Sequence, residues 1–234
     1  MRLALLGYGR MARVVEAQAR DAGHEVGAVV TSRNAGDAGR LLPGHDVAID
    51  FSVPGGVPAH VEACAAAGVP LIEGTTGWHA QEAAVRRLIE DRGGALVYGA
   101  NFSIGANLFC RIVARAAELF RGVPGYDPFI EEAHHAAKRD APSGTALMLK
   151  DILVRQLGRS DVSVASTRAG SIPGTHRVGF DSTGDQIMLT HAARSRDGCA
   201  AGALLAARWV LGRRGVYTFA NVLDDVLSGE REAV

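Results

Sequence analysis

Through the first hundred residues, short apolar runs alternate with longer amphipathic stretches. "RLALLG" is followed by a helical pattern from about Arg10 to Ala22, ended by Gly23, and then by "HEVGAVV". Short apolar runs read as strands and the 3.6-residue periodicity between them as a helix, so this opening is a βαβ unit. The alternation continues through "DVAIDFS", a helix near Val57 to Ala67 stopped by Gly68, "PLIEGTTG", a helix near Gln81 to Asp91, and "ALVYGANFS". It predicts a parallel sheet with helices on both faces and with ligands at the carboxyl ends of the strands. After a helix at about Asn107 to Phe120 the pattern changes. "YDPFIEEAHH", "VSVASTRAG", "HRVGFDS" and "DQIMLTHAAR" are strand-like and separated by turn residues, with one strong helix near Gly144 to Leu157 among them. This reads as a second, α+β domain. The tail, "AAGALLAARWVLGRRGVYTFANVLDDVL", returns to helical periodicity and is expected to pack back on the first domain.

"LLGYGRMARVV" places Gly7, Gly9 and Ala12 in a G-x-G-x-x-A arrangement between the first strand and the first helix. Gly7 permits the tight turn, Gly9 lets backbone amides approach a pyrophosphate, and Ala12 allows close helix packing, while the helix start offers unpaired N–H groups to the anion. A bare GxG is a weak signal, and the βαβ frame turns it into a dinucleotide site. The expected architecture is therefore α/β: a discontinuous, Rossmann-type dinucleotide-binding domain over residues 1–103 and 207–234, and a second α+β domain over 104–206. At the end of the second strand, where an acid would take the ribose hydroxyl of NAD, the chain reads Thr31-Ser32-Arg33. An arginine there suits a 2'-phosphate and favours NADPH; the alternative is an exposed arginine with no ligand role.

Composition narrows the partners. The chain has 234 residues, 47% hydrophobic and 21% charged, with formal net charge +0, which describes a folded protein without the basic excess of a nucleic-acid binder. Cys64, Cys110 and Cys199 are far apart and outside any CxxC pair, so neither a disulfide framework nor a zinc ribbon is expected, and a reducing cytoplasm fits. No signal peptide or membrane-spanning run is read, so no membrane partner is expected.

"EEAHHAAKRDAPSGTA", residues 131 to 146, concentrates the candidate chemistry. Adjacent side chains such as His134 and His135 point apart on a strand or helix, and HExxH spacing is absent, which counts against a metal. "APSGT" is not a G-x-S-x-G elbow, which counts against a serine nucleophile. An anion site fits better. Ser143 has N-cap character, Gly144 and Thr145 open a helix whose buried face is Ala146, Leu149, Leu153 and Leu157, and Lys138 precedes it. Free amides, a hydroxyl and an ammonium suit a carboxylate, and a lysine can also donate a proton. A solvated loop lysine beside a helix cap is the plain alternative.

This segment resembles the signature of the 4-hydroxy-tetrahydrodipicolinate (dihydrodipicolinate) reductase family. Supporting segments are "GYGRMA", "DFSVP", "GTTGW", "ANFSIGAN" and "RAGSIPGTHRVGF", in the family's order and spacing. The resemblance implies NAD(P)H-dependent reduction of 4-hydroxy-tetrahydrodipicolinate to tetrahydrodipicolinate in diaminopimelate and lysine biosynthesis, with NADPH or NADH as cofactor. It places the pyrophosphate on Gly7, Tyr8, Gly9, Arg10, Met11 and Ala12, the adenosine ribose at Arg33, and the nicotinamide end along Gly74, Thr75 and Thr76 and along Gly99, Ala100, Asn101 and Phe102. It makes His134 a proton donor or acceptor and Lys138 the second donor, puts His135, Ser143, Gly144 and Thr145 on the substrate with Thr76 near both ligands, and implies a small-molecule dicarboxylate substrate. It further implies two domains that close on each other and a homotetramer assembled through sheets of the second domain. Cys199 and Asn221 depart from the family's usual residues without touching this chemistry. Other nicotinamide dehydrogenases of amino or imino acids, a lyase using Lys138 as a Schiff base, and a non-catalytic NAD(P)H sensor are the alternatives.

Other residues have plainer readings. His60 and Cys64 share a helix face and are expected in the core, as is Trp209, while Trp78 is expected to support the nicotinamide loop. His176 and His191 are structural or line the cleft, and Arg196 is either a carboxylate partner or a surface charge.

Overall fold

A computed structural model describes residues 1–229; residues 230–234, the end of the expected first domain, lie outside the described residues. The chain divides into two units, one formed by Met1–Ile104 and the segment from Arg196 onward, the other by Gly105–Ser195.

In chain order the first unit contains β1 (Arg2–Leu6), α1 (Arg10–Asp21), β2 (Glu25–Val30), the short α2 (Ala38–Leu41), β3 (Val47–Asp50), α3 (Val57–Ala67), β4 (Leu71–Glu73), α4 (Glu82–Arg92) and β5 (Ala95–Tyr98). The second unit contains most of α5 (Ile104–Phe120), then β6 (Asp127–His134), α6 (Gly144–Leu157), β7 (Ser163–Arg168), β8 (Thr175–Asp181) and β9 (Gln186–Ala192). α7 (Asp197–Trp209), β10 (Gly215–Thr218) and α8 (Phe219–Ser228) return to the first unit.

The first unit is a six-stranded sheet in the order β10-β5-β4-β3-β1-β2, with every pairing parallel. Its strands are short apolar runs because both faces are covered, as parallel sheets require. Leu3, Leu5, Val47, Ile49, Ile72 and Val97 pack on one face under Val15 and Ala19 of α1, the small residues of α7, and Phe219 and Val222 of α8. Ala4, Leu6, Ala48, Leu71 and Leu96 face the other way, under Val57 and Val61 of α3 and Val85 and Ile89 of α4. Fully burying each such aliphatic side chain contributes about 1.5 to 3 kcal/mol before entropy is counted. β1 continues to β2 on one side and, through β2, to β3 on the other, so the strand order reverses at β1 and opens a crevice at the carboxyl edge.

Two readings of the tail are corrected. The stretch "GVYT" is a strand, β10, pairing Gly215–Thr218 with Ala95–Tyr98, where helical periodicity alone was expected. A four-residue strand has too few positions to display a period, and its identity comes from the neighbour it pairs with. The expected boundary at 206/207 falls inside α7. Ala200, Ala203, Ala206 and Ala207 pack in one core with Val15 and Ala19 of α1, which draws the whole helix into the first unit. Asn221 completes a capping box at the start of α8, its side chain accepting from the Thr218 N–H (2.8 Å) while Thr218 Oγ1 accepts from Asn221 N. Trp209 is half-buried rather than enclosed, its Nε1 donating to Asp225 (3.1 Å).

The second unit is a four-stranded mixed sheet, β7-β6-β8-β9, with β6 parallel to β7 and antiparallel to β8. Ile130, Val178 and Phe180 pack against Phe109, Val113 and Ala117 of α5 and against Ala146, Leu149 and Leu153 of α6. Leu157, expected on the buried face of α6, sits at the margin of that core.

Candidate active site

The expected cofactor segments all follow strands of the parallel sheet and gather along its carboxyl edge. Gly7 follows β1, Arg33 follows β2, Gly74–Thr76 follow β4 and Gly99–Phe102 follow β5. Gly7 has φ +81°, and a Cβ there would lie 2.8 Å from the Phe51 carbonyl oxygen, so only glycine serves. Gly74 is needed for a different reason: a Cβ would meet the Phe51 ring at 2.1 Å. Phe51, which also contacts Phe102 edge-on, is the common packing partner of these loops and was not singled out from the sequence.

The residues fit a dinucleotide. Gly9 is the N-cap of α1 without a side-chain cap, no acid lies in the first turn, and nothing stands within 4 Å of where a Gly9 side chain would be. The amides of Arg10 and Met11 therefore open onto free space at the positive end of the helix. Ala12 is buried, as close packing of that helix demands. Tyr8 is partly exposed, with its hydroxyl on Glu16 and Arg13 over its ring (5.2 Å). Arg33 is exposed, in a turn pinned by Asn34, whose side-chain oxygen accepts from the Thr31 N–H (2.6 Å).

Thr75, expected at the nicotinamide end, is tied into the protein. It is buried, its N–H donates to Glu73 (2.6 Å), its hydroxyl to Asp50 (3.2 Å), and its carbonyl accepts from Trp78 Nε1 (2.9 Å). Its polar groups are committed within the protein, so it anchors the loop on which Gly74 and the exposed Thr76 are presented. Trp78 supports the loop as expected. His60 does more than fill the core: its Nδ1 donates to Asp50 (2.6 Å).

In the second unit, strand alternation sends Ile130, Glu132 and His134 to the helix-covered face of β6, with only Ile130 reaching the apolar core. Register then sets His176 beside Glu132 and Arg168 beside His134. Arg168 clasps Glu132 through two parallel bonds, Nη1 to Oε2 (2.9 Å) and Nη2 to Oε1 (2.7 Å). The Glu132 side chain is fully buried, and although burial alone raises its pKa, the Arg168 fork and the His134 contact bring it down to about 2.

An ionised Glu132 can only accept, so the hydrogen bond between Glu132 Oε2 and His134 Nδ1 requires the proton on Nδ1. His134 Nε2 is then the nitrogen that can exchange a proton with a ligand. A Cβ on Gly174 would lie 3.1 Å from that nitrogen, so glycine at 174 keeps the space beside it open. His176, edge-on to His134, is held neutral: burial and the neighbouring His134 push its pKa down to about 4. Its Nε2 lies 3.0 Å from Ser143 Oγ, which also accepts from the Ala146 N–H (3.2 Å).

Ser143 thus caps α6 as expected and takes one of the first-turn amides itself, leaving those of Gly144 and Thr145. Gly144 is exposed and Thr145 half-buried at that helix end. Lys138 is three-quarters shielded and pairs with Asp140 (2.8 Å), whose backbone carbonyl accepts from Arg168 (2.6 Å). His135, next to buried His134, is exposed. His191 packs against Phe109, and Arg196 is exposed at the start of α7.

Glu132, His134 and His176 lie close enough to share an ion. The Arg168 guanidinium already occupies both Glu132 oxygens, so a cation would have to displace a bidentate ion pair beside a fixed positive charge. Neither Glu132 nor Arg168 was given a role from the sequence. The available signal was the alternation Glu132-x-His134, which puts an acid and an imidazole on one face of a strand.

The N-terminal model of the dihydrodipicolinate reductase family matches residues 1–102 and its C-terminal model residues 105–223. The 4-hydroxy-tetrahydrodipicolinate reductase of Christiangramia forsetii is 34% identical over 97% of this chain and 99% of its own length. The enzyme of the same name from Neisseria gonorrhoeae is 38% identical over 89% of this chain and 83% of its own. Among solved structures, a dipicolinate-bound dihydrodipicolinate reductase from Paenisporosarcina sp. TG-14 shares the fold, with TM-score 0.75 at 22% identity over 93% of this chain and 97% of that one.

Proposed function

The chain belongs to the dihydrodipicolinate reductase family, and on that premise we propose how its own residues carry out the reduction. The activity is that of an NAD(P)H-dependent oxidoreductase, converting 4-hydroxy-tetrahydrodipicolinate to tetrahydrodipicolinate, with uptake of a hydride and a proton and loss of the 4-hydroxyl as water, in diaminopimelate and lysine biosynthesis. When bound, NADPH or NADH supplies the hydride and carries the redox chemistry. The protein's part is to hold two ligands, exclude water and manage a proton.

In this reading Gly7 to Ala12 hold the pyrophosphate on the amides of α1, Arg33 meets the 2'-phosphate of NADPH, and Gly74, Thr76 and Gly99 to Phe102 line the nicotinamide end. The substrate is a small dicarboxylate. One of its carboxylates lies on the Gly144 and Thr145 amides and the Thr145 hydroxyl, beside Ser143 and His135. Lys138 and His134 supply the proton that neutralises the charge developing on the ring as it is reduced.

The observation that carries this assignment is the chain Arg168–Glu132–His134. It fixes one imidazole proton on Nδ1 and leaves Nε2 as the exchanging nitrogen. Lys138 reaches the same neighbourhood through Asp140, whose carbonyl accepts from Arg168. Phe129, Ala165 and Met188 share the sheet face opposite α5 and α6, and a homotetramer assembled through sheets of the second unit is part of the proposal. Among the described residues no helix is long and apolar enough to cross a membrane, and a cytoplasmic setting is part of the proposal.

The test is a coupled assay that generates the unstable substrate in place and follows nicotinamide absorbance with each cofactor. Lys138→Ala is expected to lower kcat by about a hundredfold or more, the usual scale for a general acid, with NADPH affinity changed less than about twofold. Unchanged turnover would remove Lys138 from the mechanism.

A further inference from the structure

Two acids that the mechanism does not use lie side by side under the nicotinamide loop. Asp50 and Glu73 end the adjacent parallel strands β3 and β4, are register partners, and are both fully buried. Asp50 is richly served. Its Oδ1 accepts from the Ser52 N–H (2.8 Å) and the Thr75 hydroxyl (3.2 Å), and its Oδ2 accepts from His60 Nδ1 (2.6 Å). Glu73 is not. Its Oε1 accepts from the Thr75 N–H (2.6 Å), while its Oε2 has no hydrogen-bond donor among the described residues. The titratable groups facing the pair are His60 and Cys64 from α3 and, in the next strand, Tyr98, which is tied to Glu82 and Arg86 of α4.

Two carboxylates cannot both ionise in such a place when, among the described residues, neither is paired with a lysine or arginine. The charge belongs on Asp50, where three donors stabilise it. The proton therefore belongs on Glu73, whose Oε2 has no donor of its own and whose ionisation the neighbouring Asp50 charge disfavours. We propose that Asp50 and Glu73 share a single proton, and that this neutral–ionised pair is a positioning device that clamps Thr75 and so sets the Gly74–Thr76 loop for the nicotinamide cofactor. The inference rests on the reading of that loop as cofactor-binding.

Burial and the Asp50 charge together raise the Glu73 pKa to about 9, in keeping with a proton retained at neutral pH. When it is lost, two adjacent negative charges repel each other at the root of the loop, and the added charge opposes an anionic cofactor. The device should therefore fail toward alkaline pH. Because the folded-state value lies above the ordinary 4.5, the stability the retained proton contributes is fully present only below about pH 4.5 and is lost progressively as pH rises from there through about 9.

Glu73→Gln keeps an acceptor for Thr75 and a donor for Asp50 without a removable proton; Glu73→Leu keeps neither. NADPH Kd, measured by fluorescence from about pH 7 to about pH 10, is expected to rise with pH in the wild type and stay flat in Glu73→Gln. Glu73→Leu should raise Kd and the NADPH KM about tenfold, the scale of one lost hydrogen bond to a buried group, with kcat changed less than about twofold. In the absence of cofactor, the alkaline fall in Tm should be shallower for Glu73→Gln than for the wild type. Glu73→Gln loosening the cofactor as much as Glu73→Leu, or a wild-type alkaline profile identical to that of Glu73→Gln, would overturn the shared proton. A wild type that binds no NADPH would instead overturn the cofactor reading and the clamp's purpose with it, while the Tm comparison would still decide where the proton sits.

Discussion

Arg168→Met is the most informative single substitution in the second unit, because it separates the charge on Glu132 from the packing around it. Methionine keeps much of the stem volume and removes both arms of the fork, the 2.7 and 2.9 Å bonds to Glu132, together with the bond to the Asp140 carbonyl. The Glu132 side chain has no exposed surface, so solvent cannot take over. At ~1.4 kcal/mol for each pH unit between the ordinary 4.5 and about 2, the interactions holding Glu132 ionised amount to roughly 3 kcal/mol at neutral pH. That agrees with the cost, about 3 to 5 kcal/mol, of leaving a buried ion without its partner. Because the folded-state value lies below the ordinary one, this stability is present above about pH 4.5 and is lost as pH falls through about 2. The gap between wild type and Arg168→Met should therefore be roughly 3 kcal/mol near pH 7 and shrink to about half or less near pH 3.

Urea unfolding followed by circular dichroism at both pH values measures the gap. Glu132→Gln placed in the Arg168→Met background should recover most of the loss, since an amide at 132 carries no charge to strand. An equal gap at both pH values, or no recovery in the double variant, would refute the electrostatic account and leave a packing defect in its place. Activity gives a second reading. In Arg168→Met Glu132 loses the fork that holds it ionised, so its hold on the tautomer of His134 weakens, and kcat should fall with little change in NADPH affinity even where the protein remains folded.

Two further substitutions test the cofactor edge. Arg33→Asp should weaken NADPH by about 1.5 to 3 kcal/mol, the size of a charge-assisted contact, while changing NADH little; equal losses in parallel titrations would reject the 2'-phosphate assignment. Gly7→Ala should destabilise the protein by roughly 1 to 3 kcal/mol and weaken both cofactors together, because its φ of +81° is strained for alanine and its Cβ meets the Phe51 carbonyl at 2.8 Å; an unshifted Tm with intact NADPH and NADH affinity would count against it.

What could be read ahead of the structure divides along the range of the interactions involved. The strands and helices of the first unit, and α6 from Gly144 to Leu157, follow from periodicity, an N-cap serine and terminal glycines, all local signals. Ser143 caps the helix as its type and place require. β10 was missed because four residues become a strand only beside β5. Arg168 and Glu132 are 36 residues apart and meet through parallel pairing, so neither announces its role along the chain. Thr75 shows the same dependence on the fold: a family motif places it at the ligand, while only the structure shows its N–H, hydroxyl and carbonyl engaged with Glu73, Asp50 and Trp78.

The buried acids show why residue type and burial together still do not determine charge. Glu132 and Glu73 are both glutamates on strands with fully enclosed side chains, yet one is pushed down to about 2 and the other up to about 9. The difference lies in the neighbour. Register sets Glu132 within reach of a guanidinium, whereas it sets Glu73 against a second carboxyl already held ionised by three donors. Each outcome suits its place. Beside His134 a permanent negative charge must exist, or nothing would select the Nδ1 proton. Under the cofactor loop a second negative charge would oppose an anionic ligand, and a neutral acid can hold the Thr75 amide without one. Exchanging the partners, with a cation near Glu73 and none near Glu132, would leave the fold's layers in place and remove both the tautomer control and the clamp.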